Sequence, residues 1–298
     1  MVFARVRAPR VAVVTDSTAS IPAALAAELG IRVVPLDVVI AGERRVEGEG
    51  DTDERLVRAL DEGVKVSTSQ PAPAAFARAY AAAAAAGAKE IVSIHLSSEL
   101  SGTFRAAELA ALGSPVPVHL VDSRSAGLGL GFSVLAAVEA ARERPRRGER
   151  GELVGGAAVA QRAREVALSS SVLFLVDSLD HLRRGGRLSA AAAALGTVLG
   201  MRPLLTLREG RIEVHAKVRT RKAARERLVA LGVEAAAGLE NPRLGVHHLG
   251  QPELAAEIAS ELAAGLGVDA GGVLVSQVSA VIGAHAGPGL LSVVVAAR

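Results

Sequence analysis

Residues 11–40 read VAVVTDSTASIPAALAAELGIRVVPLDVVI, and the change of hydrophobic period inside this stretch decides the fold class. The β-branched run 11–15 reads as a buried strand. An Ala-rich helix near 22–29 opens on a proline, whose fixed φ suits a first turn, and a second apolar strand is expected over 31–40. The rhythm continues with helices near 53–61 and 73–86, a strand at 90–96, a helix at 103–112, a strand at 116–121 and a helix at 127–142. Strands and helices alternating at this spacing form parallel βαβ crossovers, so the first half is expected to be an α/β domain with a doubly wound parallel sheet.

The stretch 142–151, RERPRRGERG, mixes Pro, Gly and charge and has no apolar face. It is the expected linker, which divides the chain into domains at 1–150 and 151–298. Beyond it come a helix near 152–166, a strand at 172–176, a short helix into Arg184 and an Ala-rich helix near 189–199. A hairpin is expected from 203–207 and 212–218, joined by Arg208-Glu209-Gly210-Arg211, where the glycine supplies the positive φ of a tight turn. Helices near 220–237 and 252–265, with strands at 243–249, 273–281 and 290–296, complete an α+β domain with a mixed sheet.

The 298 residues suffice for two cores, and the absence of cysteine excludes disulfides, thiolate nucleophiles and Cys-based metal sites. Aromatic residues make up only 2%, so stacking platforms for bases are scarce. A net charge of +3, built from 30 Arg and 4 Lys against 31 acids, carries no nucleic-acid signature by itself. Residues 1–10, MVFARVRAPR, hold no apolar signal core, and no apolar run is long enough to cross a bilayer. A soluble, cytoplasmic protein without stable membrane insertion is expected. His247 and His248 are adjacent on an expected strand and face opposite sides, and no His-x-x-x-His pair occurs, so no metal site is expected.

Several polar phrases sit where strands end. Asp16-Ser17-Thr18 follows the first strand, at the edge where open α/β sheets place ligand sites, although helix capping would use the same residues. Ser97-Ser98-Glu99-Leu100-Ser101-Gly102-Thr103 follows another strand and opens a helix. Gly102 permits close backbone approach, free N–H groups at the helix start favour an anion, and Ser101 and Thr103 add hydroxyl donors. Thr68-Ser69-Gln70-Pro71, taken alone, reads as a polar loop. Gly127, Gly129 and Gly131 miss the dinucleotide fingerprint, and no phosphate-cradling G-x-x-x-x-G-K-[ST] occurs, so no nucleotide cofactor is expected. In the last third, Gly283-Ala284-His285-Ala286-Gly287-Pro288-Gly289 reads as a glycine-dense loop between two apolar strands. It presents His285 either to a ligand that approaches the backbone closely or to a structural hydrogen bond.

Taken together these phrases resemble the DegV family, fatty-acid-binding proteins that act as acyl carriers for a bacterial fatty acid kinase. The likeness rests on Thr15-Asp16-Ser17-Thr18, Thr68-Ser69-Gln70-Pro71, Leu96-Ser97-Ser98 with Leu100-Ser101-Gly102-Thr103, Val121-Asp122-Ser123, Asp177-Ser178-Leu179 with Gly185-Gly186-Arg187, and Gly283-Ala284-His285 with Gly287-Pro288-Gly289. The resemblance implies one long-chain fatty acid held between the two domains as the ligand, with no other cofactor. Its carboxylate would rest on Thr68 and Ser101, with Gly102, Thr103 and His285 beside it. Arg187 and the stretch of Lys217, Arg219 and Arg221 would lie near the head group and dock a fatty acid kinase subunit or its phosphates. Two positions depart from the family pattern: Ser20, where an acidic residue is usual, and Ala286, where a hydroxyl residue commonly follows the histidine. A rival reading makes the chain a serine esterase or thioesterase, with Ser101 as nucleophile, His285 as base and Asp16 or Asp122 behind it. No G-x-S-x-G elbow supports that rival.

Overall fold

A computed structural model describes residues 10–143, 154–188 and 202–298. In the first half the elements are β1 (Val11–Asp16), α1 (Ala23–Leu29), β2 (Arg32–Val34), β3 (Asp37–Ile40), β4 (Glu43–Val46), α2 (Thr52–Asp61), β5 (Val66–Ser69), α3 (Pro73–Ala85), β6 (Glu90–His95), α4 (Thr103–Ala111), β7 (Val118–Asp122) and α5 (Leu128–Arg142). The second half contributes α6 (Gly156–Ser169), β8 (Ser171–Leu175), α7 (Asp180–Gly185), β9 (Arg202–Arg208), β10 (Arg211–Val218) and α8 (Arg221–Ala236). It closes with β11 (Arg243–His248), α9 (Pro252–Leu266), β12 (Val273–Gln277), α10 (Ala280–Ala286) and β13 (Leu291–Ala296).

The first sheet is parallel, in the order β2-β1-β6-β7. Alternate residues of β1 enter two different cores, as a period of two requires. Val11 and Val13 pack with Leu130, Val134 and Val159 from α5 and α6, whereas Ala12 and Val14 pack with Phe76, Tyr80 and Ala107 from α3 and α4. Helices therefore cover both faces, which explains why the strand reads as a continuous apolar run.

The second sheet runs β10-β9-β8-β13-β11-β12, antiparallel except between β11 and β12. Leu173, Leu175, Val293 and Val295 face α8 and α9, while Val172, Phe174 and Val294 face the other way, into a core shared with the first half. An α/β half with a parallel sheet and a second, mixed-sheet half agree with the expected fold class.

Four expectations need correction. The strand expected over 31–40 is divided at Pro35: β2 stays in the parallel sheet, and β3 pairs antiparallel with β4 and β5 in a sheet of its own. A proline lacks the N–H needed to continue a ladder, and β4 and β5, ERRV and VSTS, are too short and polar to show a pattern. Thr68 and Ser69 accordingly lie on a strand and not in a loop. The strand expected over 273–281 ends at Gln277, because the Ser279 hydroxyl accepts the Ile282 N–H at 3.2 Å and starts α10, so most of the glycine-dense segment is helix. The Ala-rich helix near 189–199, residues 144–151 of the expected linker and the boundary at 150 lie outside the described residues.

The β9–β10 hairpin has the expected turn, with Glu209 at φ 49° and Gly210 at φ 80°, the pair of left-handed residues that a two-residue turn matched to strand twist demands. The Ser97 hydroxyl donates to the Gly210 carbonyl at 2.8 Å and pins the hairpin tip to the loop after β6. Deeper in the first half, Asp16 Oδ2 meets His95 Nδ1 at 2.9 Å, His95 Nε2 meets Ser93 Oγ at 2.7 Å, and Ser93 Oγ meets the Tyr80 hydroxyl at 2.9 Å. All four side chains are fully buried. This chain ties β1, β6 and α3 together. Tyr80→Phe should lower the urea-unfolding free energy by about 1 kcal/mol, the usual net worth of one such bond; an unchanged midpoint would show that the chain does not close at Tyr80.

Candidate functional site

The inner face of the mixed sheet and the carboxyl-end loops of the parallel sheet enclose a cavity of about 350 Å³. Its wall is largely aliphatic and aromatic, with Leu36, Leu96, Val172, Phe174, Leu207 and Ile212 among the lining residues. Polar groups enter it from three directions. Thr68 arrives on β5, where it pairs with Val38, and its Oγ1 shares a 2.8 Å hydrogen bond with His285 Nε2 from α10. Ser101 lies in the loop before α4, its hydroxyl 2.9 Å from that of Thr103. Arg187 follows α7, its Nε–H donating to the Leu100 carbonyl at 3.1 Å and its Nη1–H to the Gly185 carbonyl at 2.5 Å. Among the described lining residues Arg187 alone carries a permanent charge.

Thr68, His285 and Arg187 also line a neighbouring recess of about 450 Å³, together with Lys65, His181 and Arg184. The polar edge of the apolar cavity is thus the place where it meets a cationic opening. Burial, and then the positive charge of Arg187, push the His285 imidazole down to about 4, so it is neutral near pH 7 and offers a neutral hydrogen-bonding edge.

Not every expected residue joins this group. Thr103 is fully buried at the start of α4, and its N–H donates to the Ser101 hydroxyl at 3.3 Å, so it holds Ser101 from behind. At Gly102 an added Cβ would collide with the Gln70 side chain, which itself lines the cavity. Lys217, Arg219 and Arg221 do not line it. Arg221 pairs with Asp177 at 3.1 Å beside Arg202, Arg219 is exposed, and Lys217 sits opposite Pro203 on β10. Each of the four residues of the esterase reading is hydrogen-bonded to a group outside that set: Ser101 to Thr103, His285 to Thr68, Asp16 to His95 and Asp122 to the Ser98 hydroxyl at 2.6 Å. His247 faces the cavity, while His248 accepts the Gln251 N–H. Among the described residues no cluster of His, Asp or Glu is arranged to hold a metal ion, and no helix is long and apolar enough to cross a membrane.

Two residues to which the sequence analysis gave no role of their own shape the site. Gln70 borders Ser101 through Gly102. Glu47, buried behind α10, accepts the Val281 N–H at 2.7 Å and the Ser17 hydroxyl, while Ser17 Oγ accepts the Leu36 N–H at 2.9 Å. Ser20 adds a third tether, its hydroxyl accepting the Ser279 N–H at 3.0 Å. The helix carrying His285, Val281 and Ile282 is thereby fixed to the loops after β1 and β4. Ala286, the other departure from the family pattern, is buried in the cavity wall.

The model of the DegV family, described as an uncharacterised protein family, matches residues 10–298. A DegV domain-containing protein of Streptomyces coelicolor is 45% identical over 97% of this chain and 99% of its own length. Among solved structures, a fatty-acid-binding DegV family protein from Thermus thermophilus superposes with a TM-score of 0.84 at 37% identity, covering 97% of this chain and 100% of that one. DegV from Bacillus subtilis, a fatty acid binding protein, gives a TM-score of 0.84 at 33% identity over 97% and 99% of the two chains.

Burial raises the Glu47 carboxyl from 4.5 to about 7, against the hydrogen bonds it accepts from Ser17 and Val281. A value raised in the folded state means stability that is complete below pH 4.5 and lost as pH climbs through 7. Glu47→Gln keeps the acceptor for Val281 and has no charge to bury. Its unfolding free energy relative to the natural chain should therefore rise between pH 5 and pH 8, by on the order of 2 kcal/mol. Parallel urea curves at the two pH values check this, and a constant difference would show that Glu47 does not titrate there.

Proposed function

The chain belongs to the DegV family, and from that premise we propose that it carries one long-chain fatty acid between its two halves, domains meeting near residue 150. The tail fills the aliphatic cavity and the carboxylate rests on Thr68 and Ser101, with Arg187 supplying the countercharge and His285 a neutral partner. One observation carries the reading: hydroxyls on separate elements and a permanent charge line one edge of a largely apolar cavity, where it meets a cationic recess. The relatives from Thermus thermophilus and Bacillus subtilis that share this fold are fatty-acid-binding proteins, which supports the same ligand here.

The energetics are consistent with this division of labour. Burying about fifteen methylenes at roughly 0.8 kcal/mol each has a ceiling near 12 kcal/mol before association costs are subtracted. Desolvating the carboxylate costs several kcal/mol, which two or three hydrogen bonds of about 1.5–3 kcal/mol each offset. The tail therefore supplies affinity and the head-group residues supply orientation. The recess lined by Lys65, Arg184 and Arg187 leaves the carboxylate open to a phosphorylating partner. In this reading the chain is a cytoplasmic carrier that presents the acid to a fatty acid kinase for acyl-phosphate formation, and catalysis belongs to the kinase.

Mass spectrometry of the purified chain after mild organic extraction should release about one free fatty acid per chain. Protein that is folded, lipid-free and unable to take up added fatty acid would end the carrier reading, and turnover of acyl esters would favour the esterase. Thr68→Val and Ser101→Ala should each weaken fatty acid binding about tenfold while leaving the circular dichroism spectrum unchanged. Retained affinity would remove the substituted residue from the carboxylate site.

A further inference from the structure

The inner face of the mixed sheet is largely apolar where it lines the cavity. Across three neighbouring strands the register sets Phe174 on β8, Ser292 on β13 and His247 on β11 side by side, and all three line the cavity. Ser292 is only 4% exposed, and among the described residues its hydroxyl has no hydrogen-bond partner.

Its two cross-strand neighbours do not provide one. Phe174 has no polar atom. His247 has both ring nitrogens engaged, Nε2 accepting the Leu128 N–H at 2.7 Å and Nδ1 placed 3.0 Å from the Ser276 carbonyl. An orphaned buried hydroxyl is unfavourable where alanine would pack as well, and such groups are rare enough to need a cause. A plain hydrocarbon tail leaves the hydroxyl unmet.

We propose that the fatty acid taken by this cavity bears an oxygen substituent, hydroxyl or oxo, along its chain, and that Ser292 is the residue that selects it. The inference rests on the carrier reading and names the substrate class within it. The carboxyl end is served by residues on other elements, namely β5, the loop before α4, the segment after α7 and α10, so the oxygen that meets Ser292 is a second polar group of the same ligand. Either substituent satisfies the site: a hydroxyl accepts from or donates to Ser292 Oγ, and a carbonyl accepts from it.

The test uses the delipidated full chain, octadecanoic acid and a series of hydroxy- and oxo-octadecanoic acids that differ in the position of the oxygen. At least one position should bind about tenfold more tightly than octadecanoic acid. Ser292→Ala should abolish that advantage while binding octadecanoic acid as tightly as before or more so. Three results overturn the inference: octadecanoic acid binding as well as every oxygenated isomer, an advantage that survives in Ser292→Ala, or an advantage that follows a cis double bond instead of an oxygen. The series on the natural chain decides the first even if the variant fails to fold. Octadecanoic acid bound with no oxygen preference leaves the carrier reading intact, whereas a chain that binds no acid of the series overturns both.

Discussion

A carboxylate taken out of water beside aliphatic side chains costs several kcal/mol unless charge or hydrogen bonds meet it, and in the proposed carrier the arrangement at the edge of the cavity answers that constraint. The only permanent charge among the described lining residues is Arg187, and its guanidinium is held by two backbone carbonyls, Leu100 from the first half and Gly185 from the second. It thus bridges the two halves at the place where the proposed head group would lie. His285 does not add a second charge, because burial keeps its imidazole neutral near pH 7. In the proposed carrier one cation would balance the carboxylate's charge and the hydroxyls would donate hydrogen bonds to it, with no surplus of positive charge on the cavity wall. The empty cavity therefore has little unpaired charge to desolvate, and a hydrocarbon tail meets a mostly apolar wall.

The same edge depends on a helix that has little stability of its own. α10 has seven residues, too few to persist in water without tertiary support. Ser20, Glu47 and Ser279 supply it by accepting the first free N–H groups of the segment, and Glu47 also places negative charge at the positive end of the helix. These tethers come from the loop after β1, the end of β4 and the residue before the helix, so the cavity wall is assembled from positions far apart in the chain. Burying an acid for this purpose carries its own penalty, visible in the upward displacement of the Glu47 carboxyl toward neutrality.

The sequence made the regular parts legible for physical reasons. β1 was readable because both its faces are buried, which leaves a continuous apolar run between turn signals. The β9–β10 hairpin was readable because its turn needs a left-handed residue and Gly210 provides it. β5 was hidden because VSTS has no apolar alternation, and its strand character comes from pairing with β3, a contact no local window contains. Glu47 sits in the run VEGEGDTDE, whose composition describes a solvated turn, and its burial is decided by Ser17 and Val281, each far away in sequence. Thr68, Ser101 and His285 could be grouped only by resemblance, since nothing in their spacing brings β5, the loop before α4 and α10 together. Ser292 did leave a mark: it is the single polar residue in LLSVVV, an interruption that packing alone does not require.

That interruption bears on how such a cavity can discriminate at all. A wall of aliphatic side chains separates acyl chains weakly, because each methylene gained or lost changes affinity by only about 0.8 kcal/mol and the wall shifts to accommodate it. Chain length is therefore read as a gradient. A lone polar atom in the wall acts in both directions: a chain that satisfies it gains a hydrogen bond in a dry surrounding, and a chain that does not leaves it buried and unpaired. In a carrier whose head-group contacts are common to every fatty acid and whose wall is largely apolar, a single unpaired hydroxyl on the sheet is a strong place to put selectivity.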